Sequence, residues 1–182
     1  MKLPHTDLEV PHTRLRITSH RFDVHGSDGD RYIGVLRLNT RRVGRVTVND
    51  ALPIHPHSGN VQATPPRSHV SFEPISHRFG WADLHTFTGR CRSQRGRVTP
   101  EQVLADLMEE HLVNRMVSKC QARGGALARL RHEGTILYFP LRTCPRTPEE
   151  RLATVRYLQR VAGRQEWQMW QGARWGPLVA GT

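Results

Sequence analysis

Two near-identical helix starts frame the stretch that constrains this chain most. They are Thr99-Pro100-Glu101-Gln102 and Thr147-Pro148-Glu149-Glu150. In each, a Thr hydroxyl is placed to accept the third helical amide. Proline suits the first helical position, where its missing N–H and fixed φ cost nothing. Gln102 or Glu150 can reach back to close a capping box. The spacing predicts helices over 100–121 and 148–162, stopped by Gly124-Gly125 and by Gly163.

Between them lies Ala126 to Arg142, apolar-rich and broken by His132-Glu133-Gly134. It reads as a β-hairpin. Thr135 to Leu141 is strand-like, with Ile136, Tyr138 and Phe139. Pro140 cannot donate to a ladder, so this strand belongs at an edge. The unit is therefore helix, hairpin, helix.

The first helix carries two apolar groups. Val103, Leu104, Leu107 and Met108 form one; Leu112, Val113, Met116, Val117 and Cys120 form the other. At about 100° per residue they lie nearly opposite each other. That predicts either a bend near Glu109-Glu110-His111 or burial on different sides along the length, with a second copy or a partner as one possible cover. In the second helix Leu152, Val155, Leu158 and Val161 predict a buried stripe. Arg156, Arg160 and Arg164 recur at four-residue spacing on another face.

The N-terminal half reads as strands. Residues 1–12, with Pro4 and Pro11, predict an extended lead-in. Alternation over 13–24, 31–38 and 43–48 predicts an antiparallel meander, with a bulge or turn around Ser19-His20 and turns at 26–30 and 39–42. Residues 49–69 hold Pro53, Pro56, Pro65 and Pro66 with Gly59-Asn60 and favour loop, with Asn60 to Ala63 as the candidate for a short strand. Val70 to Ile75 predicts a further strand. Phe79 to Phe87 fits a short helix or an edge strand equally. The whole is expected to be α+β, an N-terminal antiparallel β-meander followed by a helix–β-hairpin–helix unit. It is expected to be a single compact domain over 1–182, with a β-rich half 1–98 and a second half 99–182.

Charge is the main functional signal. The chain carries 27 Lys+Arg against 16 Asp+Glu, a formal net charge of +11. The excess is spread over both halves, which argues against a detachable basic tail. All but two of the cations, Lys2 and Lys119, are arginines, which suit bidentate contacts to phosphate or guanine. The densest run is Arg90, Arg92, Arg95 and Arg97. These four, with Arg129 and Arg131 on the hairpin and Arg156, Arg160 and Arg164, are the candidate nucleic-acid contacts. The first expectation is a non-enzymatic DNA- or RNA-binding protein.

A second expectation comes from the tail, where Trp167, Trp170 and Trp175 fall close together. They could anchor a last element on the core or form a recognition surface. With Met116 they define a protein-interaction module, an adaptor or inhibitor, with a protein partner or a homo-oligomer. A third expectation rests on the 11 histidines. His55 and His57, with Asp50 or Asp83 orienting one of them, would supply acid–base groups for a nuclease. With His69, His77, His85 or Cys91 they could approach a zinc site, but the spacing matches no ligand pattern. No Gly-rich phosphate loop, HExxH or Gly-x-Ser-x-Gly is present, so neither a metal nor another cofactor is expected.

Cys91, Cys120 and Cys144 are odd in number and widely spaced, which favours free thiols and a reducing compartment. No apolar run is long enough to span a bilayer, and the first residues lack the apolar core of a signal peptide. A cytoplasmic location without membrane contact is the expectation.

Overall fold

The computed structural model describes residues 1–6, 8–25, 29–49, 69–93, 96, 98–132, 135–162 and 166–178. Among these, by contacts, two compact units form, and the boundary between them falls within one helix, between Val113 and Asn114.

The first unit is built on a four-stranded antiparallel sheet. Its strands are β1 (Leu15–His25), β2 (Gly29–Leu38), β3 (Arg41–Asn49) and β4 (His69–Pro74), in sheet order β1-β2-β3-β4. The register shifts between Ile17 and Ser19, so the irregularity near Ser19-His20 is a bulge and not a turn. Only Asn39 and Thr40 connect β2 to β3. Asn39 has φ of 56°, the left-handed conformation that Asn tolerates well. Arg41 and Arg42, expected in that turn, therefore begin β3. Gly29 and Asp30, expected in the preceding turn, begin β2, and residues 26–28 lie outside the described residues.

The register aligns Ile17 with Leu36, Gly34 with Val46, and Val46 with Phe72. Leu15, Ile17, Tyr32, Leu36, Val46, Val48 and Phe72 are buried on that face. Gly34 sits at its centre. A Cβ there would lie 2.6 Å from Met108 Cε and 3.0 Å from Ile17 Cγ2, so the bare backbone is what lets the Met108 helix lie close on the sheet.

The segment 79–87, ambiguous in sequence, is helical. Helix α1 (Trp81–Thr88) starts where Asp83 Oδ2 accepts the Gly80 amide at 2.9 Å. Helix α2 (Pro100–Ala122) is continuous. Thr99 Oγ1 accepts the Gln102 amide at 3.2 Å, while the Gln102 side chain donates forward to Asp106 at 2.8 Å. Half of the expected capping box is thus made. In the first unit Val103, Leu104, Leu107 and Met108 are buried, and so are Leu112 and Val113.

The lead-in is not a loose extended segment. Leu3, Leu8 and Val10 are buried, and Leu3 N donates to Leu8 O at 2.8 Å. His5 is wholly buried, and Glu110 Oε2 on α2 accepts the amides of His5 and Thr6 at 3.0 and 3.3 Å. Glu110 is itself buried. A carboxylate that satisfies two otherwise unpaired amides explains why a charged residue sits there.

The second unit holds β5 (Ala126–His132), β6 (Thr135–Leu141), α3 (Pro148–Ala162), β7 (Trp167–Trp170) and β8 (Trp175–Pro177), with sheet order β6-β5-β7-β8. Pro140 lies in an edge strand, as its missing N–H requires. Gly124, at φ of 73°, ends α2, and Gly125 N donates to Cys120 O at 2.9 Å. At α3 both halves of the capping box form. Thr147 Oγ1 accepts Glu150 N at 3.2 Å, and Glu150 Oε2 accepts Thr147 N at 3.2 Å and Arg146 N at 2.7 Å.

The stripe expected on α3 is only partly buried. Leu158 is fully covered and Val155 half-buried, but Leu152 and Val161 are exposed at 42% and 44%. These two flank the stripe, and a four-stranded sheet leaves the flanks of the helix in solvent. The tail, expected as a Trp-bearing anchor or a recognition surface, forms the paired strands β7 and β8.

Candidate functional site

Strand alternation divides the second unit's sheet into two unlike faces. Ala128 is aligned with both Phe139 and Met169, and Leu130 with Leu137 and Trp167. These residues form a dry cluster with Leu158 and Leu178, against which Val155 and Ala162 pack. The Trp167 ring meets Phe139 edge-on, centroids 5.0 Å apart. Trp167 is therefore a core residue.

The opposite parity carries Arg129, which is aligned with Tyr138 on β6 and Gln168 on β7. Trp170 and Trp175 are aligned with each other on β7 and β8. Arg129 Nε donates to Gln168 Oε1 at 2.8 Å, and its Cζ lies 4.4 Å from the centroid of the Trp175 ring. Trp175 packs against Tyr138 with centroids 6.0 Å apart, and it meets Trp170 edge-to-face at 5.4 Å. Arg129 is only 4% exposed, whereas Trp170 and Trp175 are half-buried. The guanidinium braces the Trp175 ring by cation–π contact, and Trp175 in turn packs on Trp170.

At the end of this sheet, beside Trp170, is an open groove of about 670 Å³ lined by Gln121, Cys144, Arg146, Arg151 and Gln171 among others. Its wall is positioned by the end of α2, because Gly124 O accepts the Cys144 amide at 3.2 Å. Cys144 is exposed, whereas Cys120 is half-buried and Cys91 buried. Burial pushes the Cys91 thiol up to about 11 and raises that of Cys120 as well. The amides of Arg146 and Thr147 hold the Glu150 carboxyl below its ordinary range.

Among the described residues, those expected to contact nucleic acid are divided between the two units. Arg90 and Arg92 belong to the first unit. Both are exposed, and Arg92 Nη1 donates to the carbonyls of Gly89 and Cys91 at 3.0 and 2.8 Å. Arg131 is exposed and shares the parity of Arg129. Arg156 and Arg160 are exposed on α3, which covers the other face of the sheet. Arg129 is buried, against Trp175 and Gln168. Arg95, Arg97 and Arg164 lie outside the described residues, as do Asp50, His55, His57 and the segment Asn60 to Ala63. Met116 is half-buried on α2. His69, His77 and His85 are exposed, and no group of three or more possible metal-ligating side chains occurs among the described residues. None of the helices there is long and apolar enough to cross a membrane.

Sequence reasoning found the tryptophans but not their partners. Gln168 gives no signal beyond strand parity, and Arg129 is legible as a hairpin cation but not as the partner of a ring. Arg146 and Arg151 were hidden as ordinary polar residues at a helix start. No protein-family model matches the sequence, and no curated protein or solved structure matches it either.

Proposed function

We propose that this chain is a protein-interaction module, an adaptor or inhibitor, that presents Trp170 and Trp175 to a protein partner. The reading is carried by one observation: two half-exposed tryptophans are aligned across a strand pair and pack edge-to-face, with the Arg129 guanidinium held against the Trp175 ring. Large rings fixed before binding lose little side-chain freedom on association, and tryptophan is among the residue types enriched at interface hot spots. Within the second unit, by contrast, the solvated arginines Arg131 and Arg160 lie on opposite sides of one sheet. A single nucleic-acid backbone does not engage both there.

The test uses immobilised full-length protein to capture partners from cell extract treated with nuclease. A Trp170→Ala, Trp175→Ala double variant is run beside it, and the captured component is then purified and reassembled. The expected result is a stoichiometric complex that survives nuclease and raised salt and is lost in the double variant. Capture that depends on intact nucleic acid, falls steeply with salt and ignores both tryptophans would replace this reading with DNA or RNA binding.

A further inference from the structure

The groove beside Trp170 carries two cations that the aromatic cluster does not use. Arg146 is exposed at its rim, and Arg151 is half-buried in its wall. Arg151 Nε is buried and has no hydrogen-bond partner. A buried guanidinium donor left unpaired is costly, and native structures nearly always pair such a group. No carboxylate lines the groove among the described residues. The nearest acid along the chain, Glu150, sits close enough to Arg146 to feel its charge. Its Oε2 is taken up by the Arg146 and Thr147 amides. The groove is thus a concave, cationic site with a tryptophan wall and the amides of Gln121 and Gln171 at its edges.

We propose that this groove receives an acidic peptide segment of the partner, with a carboxylate held by Arg151 and Arg146 beside the Trp170 ring. The proposal rests on the reading of the Trp170 region as a protein interface, and it names the chemistry of what docks there. Charge favours this occupant. Two arginines in a groove whose described lining holds no acid match a carboxylate, a chain of net charge +11 attracts acidic segments, and guanidinium–carboxylate pairing is directional and charge-assisted.

Cys144 supplies a reporter inside the groove. It is the exposed thiol of the three, and burial keeps Cys91 and Cys120 poorly reactive near neutral pH. The experiment measures the rate of Cys144 alkylation by iodoacetamide in the full-length protein. The probe is an end-blocked glutamate decapeptide, with a glutamine decapeptide and an oligothymidylate of equal length as comparisons.

The glutamate peptide is expected to slow alkylation saturably, and the glutamine peptide to leave it unchanged. Arg151→Ala and Arg146→Ala should each weaken the protection by about tenfold, the scale of one charge-assisted hydrogen bond. Arg156→Ala, on a different side of α3, should change it by less than about twofold. Arg146 is exposed, so its variant keeps the test intact if Arg151→Ala fails to fold. Protection that is absent, that is equal with the glutamine peptide, or that ignores both arginines overturns the proposal. Stronger protection by oligothymidylate than by the glutamate peptide overturns it too. The footprint is read on the isolated chain and the capture experiment on a complex, so either can fail while the other stands.

Discussion

The two faces of the C-terminal sheet come from the same four strands and differ in nearly everything else. One meets α3 through Ala128, Leu130, Met169 and Trp167, and its chemistry ends in burial. The other carries Arg129, Tyr138, Gln168, Trp170 and Trp175, where a buried cation supports rings that reach solvent. On the first face Ala128, Leu130, Trp167 and Met169 are buried, with Leu137 and Phe139 partly so. On the second, Trp170 and Trp175 are held in place but left partly uncovered. An apolar group that is ordered without being buried contributes little to folding and much to association, so the contrast separates the part that stabilises from the part that binds.

The largest effect belongs to the covered face. Leu158→Ala removes a fully buried side chain from the centre of the cluster and should cost about 2–5 kcal/mol, read from the denaturant midpoint. A loss below about 1 kcal/mol would mean that α3 is not what closes this face.

Next comes the brace. Arg129→Met keeps the length of the side chain but leaves Gln168 Oε1 without its donor and Trp175 without its cation. It should cost about 1–3 kcal/mol and broaden the indole resonances of Trp170 and Trp175. Unchanged spectra would show that the ring pair needs no support from beneath.

A smaller effect is expected from the rings themselves. Trp170→Ala should lower stability by about 1 kcal/mol or less, because the side chain is half-exposed, while its cost in partner binding is about 2 kcal/mol or more. Equal losses in both measurements would erase the distinction between the faces.

The smallest expected effect is at the start of α3, which anchors the covered face. Glu150 titrates below its ordinary value of 4.5 in the folded chain because two amides bind its charged form. A lowered folded pKa stabilises above the ordinary value, and that stabilisation is lost as pH falls through the lowered one. Thermal unfolding followed from neutral pH down through this range should show a shallow acid-side decline that Glu150→Gln flattens. An identical profile in the variant would remove Glu150 from the account.

The elements around Thr99 and Thr147 were legible in the sequence because their signals are local. A hydroxyl, a proline and an acid at fixed spacing act within one turn, and both helices start where that chemistry says. The hairpin and the edge position of its second strand follow from β-branched and aromatic residues and from Pro140 in the same way. Strands β7 and β8 were not legible. Four and three residues long, they offer too little alternation to read. Strand β7 pairs with β5, 39 residues earlier at the Arg129–Gln168 pair, so its place in the sheet is set by tertiary packing, and β8 follows it.

The same reason hid half of the site. A cluster of tryptophans is visible in the sequence, but which ring is buried depends on strand parity. Parity puts Trp167 among the aliphatic side chains and Trp170 on the other face. Arg129 reads as a candidate nucleic-acid contact on the hairpin until Trp175 is placed beside it. The exposure of Leu152 and Val161 depends on how far the small sheet extends under α3, which no helical period encodes.

The central claim is that the ring pair, and not the solvated arginines, carries recognition. Its most direct test is the partner's Kd, measured by calorimetry at low and high salt, for the wild type, for Trp170→Ala with Trp175→Ala, and for Arg156→Ala with Arg160→Ala. The account predicts a loss of about thirtyfold or more in the tryptophan variant at both salt concentrations, against less than about threefold in the arginine variant. A tryptophan variant that binds as the wild type does, with the larger loss in the arginine variant and only at low salt, would contradict it.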